Sequence, residues 1–107
     1  MHIQIVNFNL KNMSEEEFHK MCDEVAPAFA SIPGLVSKVW LADPAKNTYG
    51  GVYTWRDRHA METFAKSDLF KAVAANSHFD NLNSRDFAVL EGPTRVTHGL
   101  EIGRAHV

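Results

Sequence analysis

From His2 to Asn9 the chain gathers β-prone residues, with Ile3, Ile5, Val6 and Phe8 in one short run, and this predicts a first strand. The period changes after the turn at Lys11-Asn12. Ser14 stands three residues before Glu17, the spacing of a capping box, and Glu15 and Glu16 add negative charge at the positive end of a helix. Phe18, Met21, Cys22, Val25 and Phe29 then recur at helical spacing as one apolar stripe, opposite a polar face of His19, Lys20, Asp23 and Glu24. Pro27 removes one backbone donor and predicts a loosened last turn, closed by Pro33-Gly34.

A second strand is predicted from Leu35 to Ala42. Strict alternation puts Val36, Lys38 and Trp40 on one side, with Leu35, Ser37, Val39 and Leu41 on the other. Turn residues from Asp43-Pro44 to Asn47 lead to a third strand, Tyr49 to Trp55, where Gly50-Gly51 signals a bulge or a close backbone approach. Asp57 caps a second helix with Ala60, Met61 and Phe64 inward, and Ser67-Asp68 starts a short third one with Leu69, Phe70 and Val73 inward. A polar loop is expected from Asn76 to Ser84, followed by a fourth strand from Arg85 to Glu91. Gly92-Pro93 is read as its break and Thr94 to Thr97 as a β extension.

The order β-α-β-β-α-β is that of the ferredoxin-like α+β fold: a four-stranded antiparallel sheet with its helices on one face. The middle strands nevertheless carry large apolar residues on both sides. An uncovered sheet face of that kind marks an interface, and a homodimer with two sheets packed face to face is the economical arrangement.

Composition narrows the function. The 107 residues make one domain, and a formal net charge of −2 with no cluster of Lys or Arg argues against nucleic-acid binding. The lone Cys22 cannot form an internal disulfide and suits a reducing compartment. No membrane span is expected, and Met1-His2-Ile3-Gln4 does not open like a signal peptide, so a cytoplasmic location is expected. The six histidines share no metal-ligand spacing, so no metal is expected, and there is no Gly-x-Ser-x-Gly elbow for a serine hydrolase.

Pro33-Gly34-Leu35-Val36-Ser37-Lys38-Val39-Trp40, followed by Tyr49-Gly50-Gly51-Val52-Tyr53, resembles the signature of the YdhR-type mono-oxygenase family. That family belongs to the dimeric α+β barrel superfamily, beside the antibiotic-biosynthesis mono-oxygenases. The resemblance spans roughly residues 3–97, which sets a domain at 1–97 and leaves 98–107 as a tail. It implies a small pocket between sheet and helices in each subunit. It also implies oxygenation of an aromatic or quinol-like substrate by dioxygen with no cofactor, the deprotonated substrate itself supplying the electron. Such a site needs an apolar slot, a proton acceptor and polar groups that hold the substrate anion.

Trp40, Tyr53, Trp55 and Phe64 are the candidates for the slot, against the alternative that they only fill the core or an interface. Lys38 shares the side of Trp40, and a lysine within a sheet core calls for a partner or a cavity. Asn7, polar amid Ile5 and Phe8, must hydrogen-bond either a ligand or a neighbouring strand. His78, in the polar loop beside Phe79, is the histidine best placed for a pocket mouth. It is therefore taken with Asn7 as a candidate catalytic group. Cys22 reads as a core thiol. Two rival functions use the same residues: haem degradation around Asn7, Trp55 and His78, and non-catalytic binding or sensing of a small apolar ligand.

Overall fold

In the computed structural model, which describes residues 1–100, the first strand β1 (His2–Leu10) alternates strictly between buried and half-buried positions. His2, Gln4, Val6 and Phe8 point into the core, while Ile3, Ile5 and Asn7 share the opposite pleat. Helix α1 (Glu15–Ala30) starts at the expected capping box. The Glu17 N–H donates to Ser14 Oγ at 3.1 Å and the Ser14 N–H donates to Glu17 Oε1 at 3.0 Å. The helix runs through Pro27 to Ala30, and the Ser31 hydroxyl donates back to the Pro27 carbonyl.

Strands β2 (Leu35–Asp43) and β3 (Thr48–Trp55) form a hairpin through a single 3-10 turn at Pro44–Lys46, closed by Asn47 in the left-handed region. A bulge between Leu35 and Ser37 corrects the expected alternation. Leu35 pairs with Trp55 and turns toward the core, as Lys38 and Trp40 do, and Val36 is the extra, exposed residue. At Gly50, with φ of +152°, a Cβ would fall 1.8 Å from the Val6 carbonyl oxygen, so only glycine lets β1 and β3 pair there.

Helices α2 (Arg58–Ala65) and α3 (Asp68–Ala75) are capped by Asp57 and Ser67, as expected. Strand β4 (Phe79–Ala88) departs from expectation, because it starts six residues early, inside the stretch read as a loop. It is an edge strand, so its polar residues meet water. Asn81 at φ of +55° absorbs a register shift against β1 and donates to Asn9 Oδ1 at 2.9 Å. The expected β extension is instead helix α4 (Glu91–Val96). Pro93 lies in its first turn, where a missing N–H costs nothing, so it starts a helix rather than only breaking a strand.

The sheet order β2-β3-β1-β4, all antiparallel, is ferredoxin-like. The core lies between α1, α2 and α3 and one sheet face. The other face presents Val39, 56% exposed, and Phe87, 52% exposed, alongside Ile3, Ile5 and Val52. Within the described residues no helix is long and apolar enough to cross a membrane. The expected tail falls mostly at 101–107, outside the described residues.

Candidate active site

Under α1 the helix-facing pleats of three strands leave a cavity of about 50 Å³. Val6 and Phe8 come from β1, Lys38 and Trp40 from β2, and Gly51 and Tyr53 from β3. Phe18, Cys22 and Phe29 close it from α1, and Phe79 of β4 completes the wall. Beyond Trp40 and Cys22 a wider groove of about 360 Å³ runs between α1 and β2, with His19 and Asp23 at its rim. Trp40, 37% exposed, therefore stands between an inner apolar cavity and an outer groove large enough for a ring system.

Lys38 is the unusual group. Its Nζ lies 3.4 Å from the centroid of Trp40, 3.5 Å from that of Phe29 and 4.7 Å from that of Tyr53. Among the described residues no carboxylate pairs with it and no oxygen accepts a hydrogen bond from it. Burial lowers its pKa from 10.5 to about 7, while the ring faces act in the opposite sense by favouring the ammonium. The amine is thus poised between its two forms near neutrality. Burial also pushes the Tyr53 phenol and the Cys22 thiol up, so both stay protonated beside it.

Gly51 makes the room. A Cβ there would sit 2.8 Å from Lys38 Cε and 3.2 Å from the Val39 carbonyl oxygen, so the lysine stem occupies the space that a side chain at 51 would fill.

Of the residues singled out from the sequence, Lys38, Trp40 and Tyr53 meet in the cavity. Phe64 lies behind it, fully buried, with its ring 5.5 Å from that of Tyr53. Trp55 is sealed from solvent at 0% exposure. It stacks on Tyr53 at 5.8 Å, and its indole N–H donates to Gln4 Oε1 at 3.0 Å. Asn7 lies on the opposite pleat from the cavity-lining Val6 and Phe8. His78 lies beyond the lining, its Nδ1 2.8 Å from the Lys11 carbonyl oxygen. The trio Asn7, Trp55 and His78 is therefore not assembled around one cavity.

Sequence reasoning did not assign Cys22, Phe29 or Gly51 to the site. The helical stripe from Phe18 to Phe29 carried the signal for the first two, since the face that packs on the sheet is also the face that roofs the cavity. Among the described residues no group of His, Cys, Asp and Glu is arranged to hold a metal ion.

Solved structures share this architecture. SnoaB from Streptomyces nogalater, a cofactor-independent oxygenase, is 22% identical with a TM-score of 0.65, the match covering 84% of this chain and 94% of that one. The haem degrader MhuD from Mycobacterium tuberculosis, with two haems bound in its active site, is 20% identical with a TM-score of 0.67, covering 84% and 96%. A protein of unknown function from Nitrosomonas europaea reaches a TM-score of 0.71 at 15% identity, covering 85% and 90%. At these identities the likeness is one of fold. No curated protein matches the chain significantly. Residues 3–100 match the family model described as "Putative mono-oxygenase ydhR", which is nearly the whole described chain, so the chain belongs to the YdhR family.

Proposed function

We propose that the protein is a cofactor-independent mono-oxygenase of a small aromatic or quinol-like metabolite, working as a cytoplasmic homodimer. One observation carries the reading. An unpaired amine, titrating near neutrality, lines both an aromatic cavity and a ring-sized groove of about 320 Å³ beside Trp40. The family and the fold shared with SnoaB support the same reaction class.

In this reading the substrate ring lies in the groove against Trp40, with its acidic C–H or O–H toward Lys38. The neutral amine takes that proton, and the resulting ammonium pairs with the substrate anion against apolar walls, where screening is weaker than in bulk water. The anion passes one electron to dioxygen. Superoxide and the substrate radical then combine into a hydroperoxide, which loses water to leave a carbonyl. For a methylene substrate the step consumes one methylene group and one dioxygen and yields one carbonyl group and one water. Lys38 thus takes the acid–base role for which His78 and Asn7 were candidates, because it alone of the three faces the cavity.

Oxygen uptake with chelator present and no added cofactor, against anthrones and quinols, tests the reading. Uptake proportional to protein and lost in Trp40→Ala is expected. Binding of the same compounds with no uptake above the spontaneous rate would replace the enzyme by a binding module.

The uncovered sheet face supports the homodimer. Val39 and Phe87 expose apolar surface there that a second copy would bury. Sedimentation should show a dimer for the native chain and a monomer for Val39→Asp/Phe87→Asp. A monomeric native chain would remove this part of the proposal.

A further inference from the structure

The same cavity supports a second reaction that requires no oxygen chemistry. We propose that Lys38 is a carbonyl-capturing amine, which condenses with small uncharged aldehydes to form an imine at the mouth of the cavity, the aldehyde's own group lying in the adjoining groove that Lys38 lines. The aldehyde carbon gains the bond to Nζ, the carbinolamine loses its hydroxyl together with a nitrogen proton as water, and no oxidant or reductant is consumed.

Three features point to this. The amine has no acid to hold it as an ammonium ion, and its neighbours are ring faces, so Nζ keeps its lone pair available whenever it is neutral. The lining is almost wholly apolar, so loss of water from the carbinolamine is favoured over its return. A second groove of about 320 Å³, lined by Lys38 itself with Ala26, Phe29, Ser37 and Trp40, gives a flat aldehyde a route from solvent to the amine.

The ligand class follows from what faces the amine. The titratable groups around Lys38 are Cys22 from α1 and Tyr53 from β3, both held protonated, and among the described residues no carboxylate or second cation lines the cavity. A charged aldehyde would lose hydration there without gaining a counter-ion, so an uncharged one is selected. The lowered pKa supplies the neutral amine near pH 7. Cys22 is the competing nucleophile, but its thiohemiacetal has no C=N bond and is not fixed by hydride.

Benzaldehyde with sodium cyanoborohydride, under anaerobic conditions at pH 7, tests the proposal on the whole folded chain. Hydride adds to the imine carbon and leaves a stable benzylamine that peptide mass mapping can place. The expected result is labelling of Lys38 in roughly tenfold or greater excess over each of Lys11, Lys20, Lys46, Lys66 and Lys71, all exposed, with the preference lost in the urea-unfolded chain. Lys38→Arg should show no label at position 38. An even distribution over the lysines, or an unlabelled Lys38 in protein with a native circular-dichroism spectrum, would overturn it. Benzaldehyde has no acidic C–H and oxygen is absent, so this outcome and that of the oxygen-uptake test are independent.

Discussion

One sheet face, covered by one layer of helices, treats its buried polar groups in opposite ways at its two ends. At the Trp55 end every such group has a partner. The Trp55 indole donates to Gln4, the Gln4 amide donates to Ser84 Oγ at 3.0 Å, and the His2 ring meets Asp86 at 2.6 Å. At the Trp40 end the strongest polar group, the Lys38 amine, has only ring faces. Satisfied polar groups specify packing, whereas a half-buried amine that meets only ring faces loses hydration without gaining a hydrogen bond. The first end is closed by its own hydrogen bonds, and the second is the end on which the proposed chemistry rests.

The sharpest break of this comparison is Trp55→Ala. Removing the largest fully buried side chain should cost about 3–5 kcal/mol and orphan the Gln4 carbonyl oxygen. If the two ends are separate in role, the variant unfolds at lower denaturant while Lys38 in the surviving folded protein keeps its reactivity. Urea titration beside the labelling assay measures both. Equal losses in stability and reactivity would show that the ends are one unit.

Lys38→Met tests the other end with the opposite sign. Oxygen uptake should fall by about 100-fold or more, the typical contribution of a positioned acid–base group. Stability should rise. The native state binds this proton more weakly than the unfolded chain does, so between about pH 7 and 10.5 the native protein carries fewer protons and gains stability as pH rises. The penalty is complete below pH 7 and relieved above it. Methionine removes it, giving about 1–3 kcal/mol at pH 6, after discounting about 1.4 kcal/mol per pKa unit for residual solvent exposure. The two stability curves should converge toward pH 10. A destabilised variant at pH 6 would mean that the amine is a structural prop.

These contrasts were only partly legible in the chain. Strong local signals carried the fold: the Ser14–Glu17 box, the α1 stripe, the Asp57 cap and the Asp43–Asn47 turn all form as read. The fourth strand was hidden because an edge strand facing water needs no apolar alternation, and Asp80 to Ser84 reads like a loop. Lys38 beside Trp40 was legible, since a lysine amid apolar strand residues is itself an anomaly. Asn7 and Trp55 were not. A period of two tells which residues share a pleat but never which pleat faces the helices, and the bulge at Val36 exchanges sides within β2. His78 sat next to a true cavity residue, Phe79, and its own ring points elsewhere, to the Lys11 carbonyl.

The smallest and most selective perturbation is Gly51→Ala. Its neighbour Gly50 serves the fold, since a Cβ there would overlap the Val6 carbonyl at 1.8 Å. At Gly51 the backbone conflict is much milder. Its nearest obstacle is Lys38 Cε at 2.8 Å, the far end of a flexible stem, followed by the Val39 carbonyl oxygen at 3.2 Å. The added methyl should therefore displace the lysine and leave the strand pairing, for a stability cost of about 1 kcal/mol. Misplacing a reacting group by about an ångström lowers rates by up to about 100-fold, and a stem that can bend recovers part of that, so a loss of about tenfold in oxygen uptake is expected. Lys38 labelling should drop in parallel, because the amine leaves the ring faces for the groove, where water holds it as an ammonium ion. A variant with full uptake and full labelling would show that the amine reacts equally well outside the cage, and the distinction between the two ends would then rest on packing alone.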